Sequence, residues 1–211
     1  MSAAAVGVAV LISGRGSNLR ALVEAGVPVS AVISNRADAA GIEFARAHGI
    51  PVAVVAHTAY PTRERFDEAL AAEIDRYAPR LVALAGFMRI LTPAFTRRYG
   101  ERLLNIHPSL LPAFPGLHTH ARALDAGVRI HGCTVHFVTP ELDHGPVVIQ
   151  AAVPVLPGDD EERLAARVLA QEHHIYPQAV RWFLDGKLAI ERGTVRVSEH
   201  GARQWRFAEP A

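Results

Sequence analysis

Apolar runs and helical stripes alternate from the start of the chain. Val6–Ile12 is an unbroken apolar run, which reads as a buried strand. Ser17–Ala25 reads as a helix closed by Gly26-Val27-Pro28, and Val29–Ser34 as a second strand. Asp38 is placed to cap a helix that reaches Ala47 and stops at His48-Gly49. Val52–Val55 is a third strand. Thr62 then opens a long amphipathic helix with Phe66, Leu70, Ile74 and Tyr77 along one face. Leu81–Ala85 is a fourth strand, Gly86–Leu91 a loop, Pro93–Tyr99 a helix begun by proline, and Arg102–Ile106 a fifth strand. Near-continuous apolar strands interleaved with helices predict an α/β protein: a mostly parallel twisted sheet with helices on both faces.

The second half changes character. Arg122–Ala126 reads as a short helix. Gly132–Val138 alternates, with Cys133, Val135 and Phe137 on one side and Thr134, His136 and Thr139 on the other. Val147–Val155 is a long strand, and Asp159 caps a last helix running to Leu184. Leu188–Glu191 and Val195–Val197 form a hairpin around Gly193, with fraying expected from Ala208. The pattern predicts one domain over residues 1–211. Within it, the change of character falls near residue 100, between a half of about 1–100 and one of about 101–211.

Composition narrows the function. A net charge of +1 gives no broad electrostatic case for nucleic-acid or anionic-membrane partners. Cys133 is the only cysteine, which rules out an internal disulfide and a thiolate metal cluster and fits a reducing cytoplasm. The apolar opening Ala3–Ile12 is far short of the ~20 residues that span a bilayer. No basic residue precedes it, so no secretory signal is expected.

Four stretches carry candidate chemistry. Asn105-Ile106-His107-Pro108 sits where a strand runs into a proline-stiffened loop. Residues two apart in a strand face one side, so an amide and a titratable ring point into the same space. The plain alternative is a capped loop with a satisfied histidine. Ser13-Gly14-Arg15-Gly16-Ser17-Asn18 joins the first strand to the first helix, where free N–H groups favour an anion. It lacks the third glycine of a dinucleotide fingerprint and the Gly-Lys-Ser/Thr of a Walker loop, so it reads as a phosphate-monoester loop or an ordinary turn. A side chain at Gly16 is expected to obstruct the phosphate. Leu142-Asp143-His144-Gly145-Pro146 is a rigid turn whose carboxylate can pair with a histidine. Gly86–Leu91 sets backbone polar groups beside Met, Ile and Leu, which suits a flat heteroaromatic ring or a core cap. His118, His120, His136 and His144 lack metal-ligand spacing, so no metal is expected.

Together these stretches resemble the folate-dependent formyltransferases. The resemblance runs from Val8 to about Asp185. It is carried by Ile12-Ser13-Gly14-x-Gly16-Ser17-Asn18-Leu19, Ala85–Leu91, Asn105–Pro112, His118-Thr119-His120, His131–Val138, Glu141-Leu142-Asp143-x-Gly145-Pro146 and Gln171-Glu172-His173. It implies a Rossmann-like formyltransferase fold, with a nucleotide-binding half over about 1–100 and a folate-binding and catalytic half over about 101–211. The implied reaction is direct transfer from 10-formyltetrahydrofolate, as co-substrate, to the amine of a glycinamide ribonucleotide in purine synthesis. The resemblance implies that Asn105, His107 and Asp143 are catalytic, Asp143 keeping His107 cationic and oriented. It implies that Gly16, Ser17, Asn18, Leu19 and Glu172 bind the ribonucleotide. Arg63, Met88, Arg89, Ile90 and Leu91, with Asn105, are implied to line the folate site. Small-molecule substrates, a cytoplasmic location and a homodimer follow from the same resemblance. Arg15, Ala113-Phe114 and His144 depart from the family pattern. A transfer-RNA formyltransferase is expected to carry a further C-terminal nucleic-acid-binding domain, and a formyltetrahydrofolate hydrolase an N-terminal regulatory one. A non-catalytic binding module would not need the Asn105, His107 and Asp143 trio.

Overall fold

The computed structural model describes residues 7–208. Val6 and the stretch beyond Ala208 therefore lie outside the described residues. The chain forms two compact units, Met1–Asn105 and Ile106–Ala211.

The first unit alternates strand and helix. Its elements are β1 (Val8–Ile12), α1 (Ser17–Glu24), β2 (Val29–Ser34), α2 (Gly41–Ala47), β3 (Val52–Val54), α3 (Arg63–Asp75), β4 (Leu81–Leu84), α4 (Pro93–Arg98) and the first three residues of β5 (Leu103–His107), whose last two belong to the second unit. The strands pair in parallel in the order β3-β2-β1-β4-β5. All five β1 residues are fully buried, as a central strand covered on both faces requires. The order reverses between β1 and β4. In open α/β sheets that reversal opens a crevice at the C-terminal strand ends. The expected mostly parallel sheet with helices is borne out. α3 begins where Thr62 accepts the Arg65 N–H and buries Phe66, Leu70 and Ile74, while Tyr77 falls beyond the helix, half-buried. Asp67 on the same helix accepts the Thr92 N–H at 2.6 Å, fixing the start of α4.

The second unit holds α5 (Thr119–Asp125), β6 (Ile130–Phe137), β7 (Val147–Pro154), α6 (Glu161–Leu184), β8 (Leu188–Glu191), β9 (Thr194–Val197) and β10 (Trp205–Phe207). β6 and β7 are antiparallel, β10 adds to β7 in parallel, and β8 and β9 form the expected hairpin. Lys187, the chain's one lysine, bonds Asp185 at 3.1 Å and Glu199 at 2.7 Å, tying the hairpin base to the segment that leads to β10.

Several expected boundaries move for physical reasons. Asp38 does not cap α2; it pairs with Arg36 at 2.6 Å, and the helix starts at Gly41, whose N–H donates to the Gly14 carbonyl. Asp159 does not cap α6 either. It is held by Arg167 at 2.7 Å, and Asp160 caps instead by accepting the Arg163 N–H at 2.8 Å. β5 continues to His107 and α5 starts at Thr119. Both faces of β6 are buried, so Thr134 and His136 are interior groups.

Candidate active site

In the first unit, the turn after β1 is built by glycine. Gly16 has φ 76°, and a Cβ there would lie 2.7 Å from the Gly41 Cα. Two glycines thus let the β1–α1 turn rest on the start of α2. The expectation that a side chain at Gly16 points at a phosphate is corrected: it points at the backbone of α2. Gly16→Val is expected to lower the unfolding free energy by about 2 kcal/mol or more. The readout is a fall in urea midpoint. An unchanged midpoint with a raised KM for the ribonucleotide would restore the original reading.

α1 has no acidic residue in its first turn and no side-chain cap, so its N-terminal dipole is uncompensated and favours an anion. Ser13 organises the surrounding strand ends. Its Oγ donates to Asn35 Oδ1 at 2.6 Å and accepts the Met88 N–H at 2.7 Å, and its own N–H donates to the Gly86 carbonyl. Asn35 Nδ2 lies 3.1 Å from His57 Nδ1. These groups wall a cleft of about 470 Å³ at the β1–β4 reversal, which Arg15 and Arg89 also line. Neither arginine forms an ion pair among the described residues.

The structure brings Gly16, Ser17, Asn18, Met88 and Arg89 to this cleft, but not Arg63, Ile90 or Leu91. Met88 is 65% exposed and Ile90 59%, available to a ligand, while Leu91 is buried. Leu19 is fully buried and has only its backbone to offer. Arg63, Met88, Arg89, Ile90 and Leu91 all fall in the first unit.

The second unit holds an acid–base cluster. His107, 6% exposed, ends β5 two residues after Asn105. Its Nε2 lies 3.1 Å from the Phe114 carbonyl oxygen and its Nδ1 3.5 Å from Asp143 Oδ2. A carbonyl only accepts, so Nε2 carries a hydrogen. The Gly116 N–H donates to the same Asp143 oxygen at 2.8 Å. Asp143 Oδ1 is 3.9 Å from His136 Nε2, and His136 Nδ1 faces the Phe137 carbonyl at 2.9 Å. Burial lowers the His136 pKa, which keeps that ring neutral. Asp143 reaches this position because its turn folds back onto β6. A Cβ at Gly145 would sit 1.7 Å from the Phe137 carbonyl oxygen, so only glycine fits. Asp143 itself has φ 53°. Thr134 Oγ1 donates to the Ser109 carbonyl at 2.6 Å and accepts the Leu111 N–H at 3.1 Å, holding the loop after His107.

A histidine pair packs beside the Phe114 ring. His131 Nε2 lies 3.2 Å from His120 Nδ1, and the His131 ring meets Phe114 edge-on at 5.8 Å. Burial and the neighbouring His120 hold His131 down to about 4, against an ordinary 6.5. Between those values the unfolded chain binds a proton that the native state refuses. The resulting stabilisation is complete above about 6.5 and is lost as pH falls towards 4, with a slope of up to about 1.4 kcal/mol per pH unit. His131→Asn should flatten that acid limb in urea unfolding measured from pH 7.5 to 4.5. A wild-type protein equally stable across the range would refute it.

Three features escaped sequence reasoning: His136 beside Asp143, the Phe114 carbonyl on His107, and the link from Ser13 through Asn35 to His57. The strand alternation around His136 was the one available signal. His144 stands apart, exposed and 3.4 Å from Glu141. Glu172 is buried on α6. Burial pushes the Cys133 thiol up, away from a nucleophile's role.

A parallel sheet with a glycine turn at a helix start, and a buried His–Asp cluster after a strand-end asparagine, describe a group-transfer enzyme. Residues 6–180 match the formyl transferase family, and the chain belongs to it. It is 55% identical to the phosphoribosylglycinamide formyltransferase of Escherichia coli K12, over 87% of this chain and 89% of that one. Among solved structures, the phosphoribosylglycinamide formyltransferase of Anaplasma phagocytophilum aligns with TM-score 0.90 at 44% identity, covering 96% of this chain and 98% of that one. The glycinamide ribonucleotide transformylase 1 of Symbiobacterium toebii aligns with TM-score 0.88 at 50% identity, covering 91% and 93%.

Proposed function

We propose that the chain moves the formyl group of 10-formyltetrahydrofolate directly onto the amine of glycinamide ribonucleotide, a step of purine biosynthesis. The observation that carries the mechanism is the commitment of His107 Nε2 to the Phe114 carbonyl, which leaves Nδ1, on the Asp143 side, as the reactive nitrogen. With Nε2 protonated, a lone pair on Nδ1 would face a carboxylate. The imidazolium form, with a hydrogen on both nitrogens, suits the pair.

The turn from Gly14 to Asn18 takes the ribonucleotide phosphate at the start of α1, with Arg15 adding charge, and Glu172 serves the same substrate. Met88, Arg89 and Ile90 offer side chains to the folate, with Leu91 next in sequence and Arg63 at the start of α3. The acceptor nitrogen attacks the formyl carbon, and the carbonyl electron pair moves to oxygen. The Asn105 amide N–H and His107 Nδ1–H donate to that oxyanion. Asp143 holds the ring in this orientation. The carbon–N10 bond then breaks with its electrons going to N10. The proton lost by the attacking amine reaches N10, directly or through water, so no covalent enzyme intermediate forms. No helix among the described residues is long and apolar enough to cross a membrane.

The test is formyl transfer measured with and without glycinamide ribonucleotide. Product requiring the ribonucleotide is expected. Formate released at the same rate without it would mean hydrolysis, and no turnover of the folate would mean a binding module.

A further inference from the structure

One cleft lies wholly within the second unit and apart from His107 and Asp143. It has a volume of about 510 Å³ and is walled by α6, β7 and residues 199–207. Pairing sets which side chains reach it. Arg206 lies opposite Ala151, and Ala151 opposite Cys133. Directly paired residues share a sheet face, and Cys133 Sγ lies 4.0 Å from the Val168 carbonyl of α6. Arg206 therefore projects on the side that α6 covers. On α6, His174, Gln178 and Trp182 recur every four residues along one face, and all three line the cleft.

The donors gathered here are uncommitted. Trp182 is 3% exposed, and its indole N–H has no acceptor among the described residues. A buried donor without a partner calls for one. Arg203 and Arg206 form no ion pair among the described residues; Arg203 lies over the Trp205 ring at 5.5 Å. The lining's one acid, Glu199, is occupied by Lys187 at 2.7 Å. The cleft is thus cationic, while Ile149 and Ile175 give it an apolar wall. Its volume falls within the roughly 300–1,000 Å³ of small-molecule sites and far exceeds a bare phosphate.

The geometry points to a second ligand site, for an organic oxyanion of about mononucleotide size. Its phosphate or carboxylate meets Arg206 and Arg203, and its body lies against Ile149 and Ile175. The chain's two tryptophans, Trp182 and Trp205, both line the cleft, so intrinsic fluorescence reports on it. The experiment titrates AMP, inorganic phosphate and adenosine into the full chain, with saturating glycinamide ribonucleotide filling the acceptor site. A saturable fluorescence change with AMP is expected, with phosphate and adenosine each binding at least about tenfold more weakly. Arg206→Ala should raise the AMP Kd about tenfold and leave formyl transfer intact. Arg203→Ala serves as a second variant if the first is unstable. No fluorescence change with AMP would overturn the site. So would adenosine binding as tightly as AMP, phosphate binding as tightly as AMP, or an AMP Kd unaltered in both variants.

Discussion

Asn105→Ala is expected to lower kcat by ~10²–10³ while both KM values stay within about threefold. Attack on the formyl carbon turns a neutral carbonyl oxygen into an alkoxide, so a fixed donor gains strength as the charge develops. That is the kind of interaction that raises kcat without tightening the ground state. Asn105 is suited to it because pairing with Leu84 of β4 fixes its backbone. Alanine keeps that pairing and removes only the amide. Single-turnover kinetics on the folded variant make the test, and half the wild-type rate would take Asn105 out of the mechanism.

Asp143→Asn should cost on the order of 10²-fold in kcat with little change in stability. Asparagine tolerates the left-handed backbone that Asp143 adopts at φ 53°, and its side-chain oxygen still accepts the Gly116 N–H. Only the negative charge beside His107 Nδ1 disappears. Asp143→Ala removes the charge as well and adds about 1–2 kcal/mol of backbone strain, so it should lose activity and urea resistance together. The comparison separates chemistry from architecture. An Asp143→Asn variant with wild-type kcat would reduce Asp143 to a turn residue.

Much of the fold was legible because the strands are buried on both faces and lack polar interruptions. Val29–Ser34 and Leu188–Glu191 match their expected limits. Errors gather where a competing partner overrides the simplest local signal. Asp38 and Asp159 are good caps by composition, but nearby arginines claim both carboxylates. β10 has three residues, too few to show alternation, and exists because β7 has an open edge to pair with. The same divide runs through the site. His107 and Asp143 stand on stiff, proline-marked turns and could be singled out from sequence. The Phe114 carbonyl could not, because any residue supplies that group and only the folded loop aims it at His107. Gly16 was legible as a turn residue but not as the partner of Gly41, which lies far along the chain.

The solitary lysine also makes the protein unusually simple to reagents that acylate amines. Apart from the chain's amino terminus, Lys187 is the one target, and its bonds to Asp185 and Glu199 raise its pKa and withhold the free amine that such reagents need. Its acylation is therefore expected to speed up in Glu199→Gln, which removes one of the two carboxylates that hold the ammonium. A single mass-spectrometric peak then reports how firmly one ion-pair cluster holds its charge.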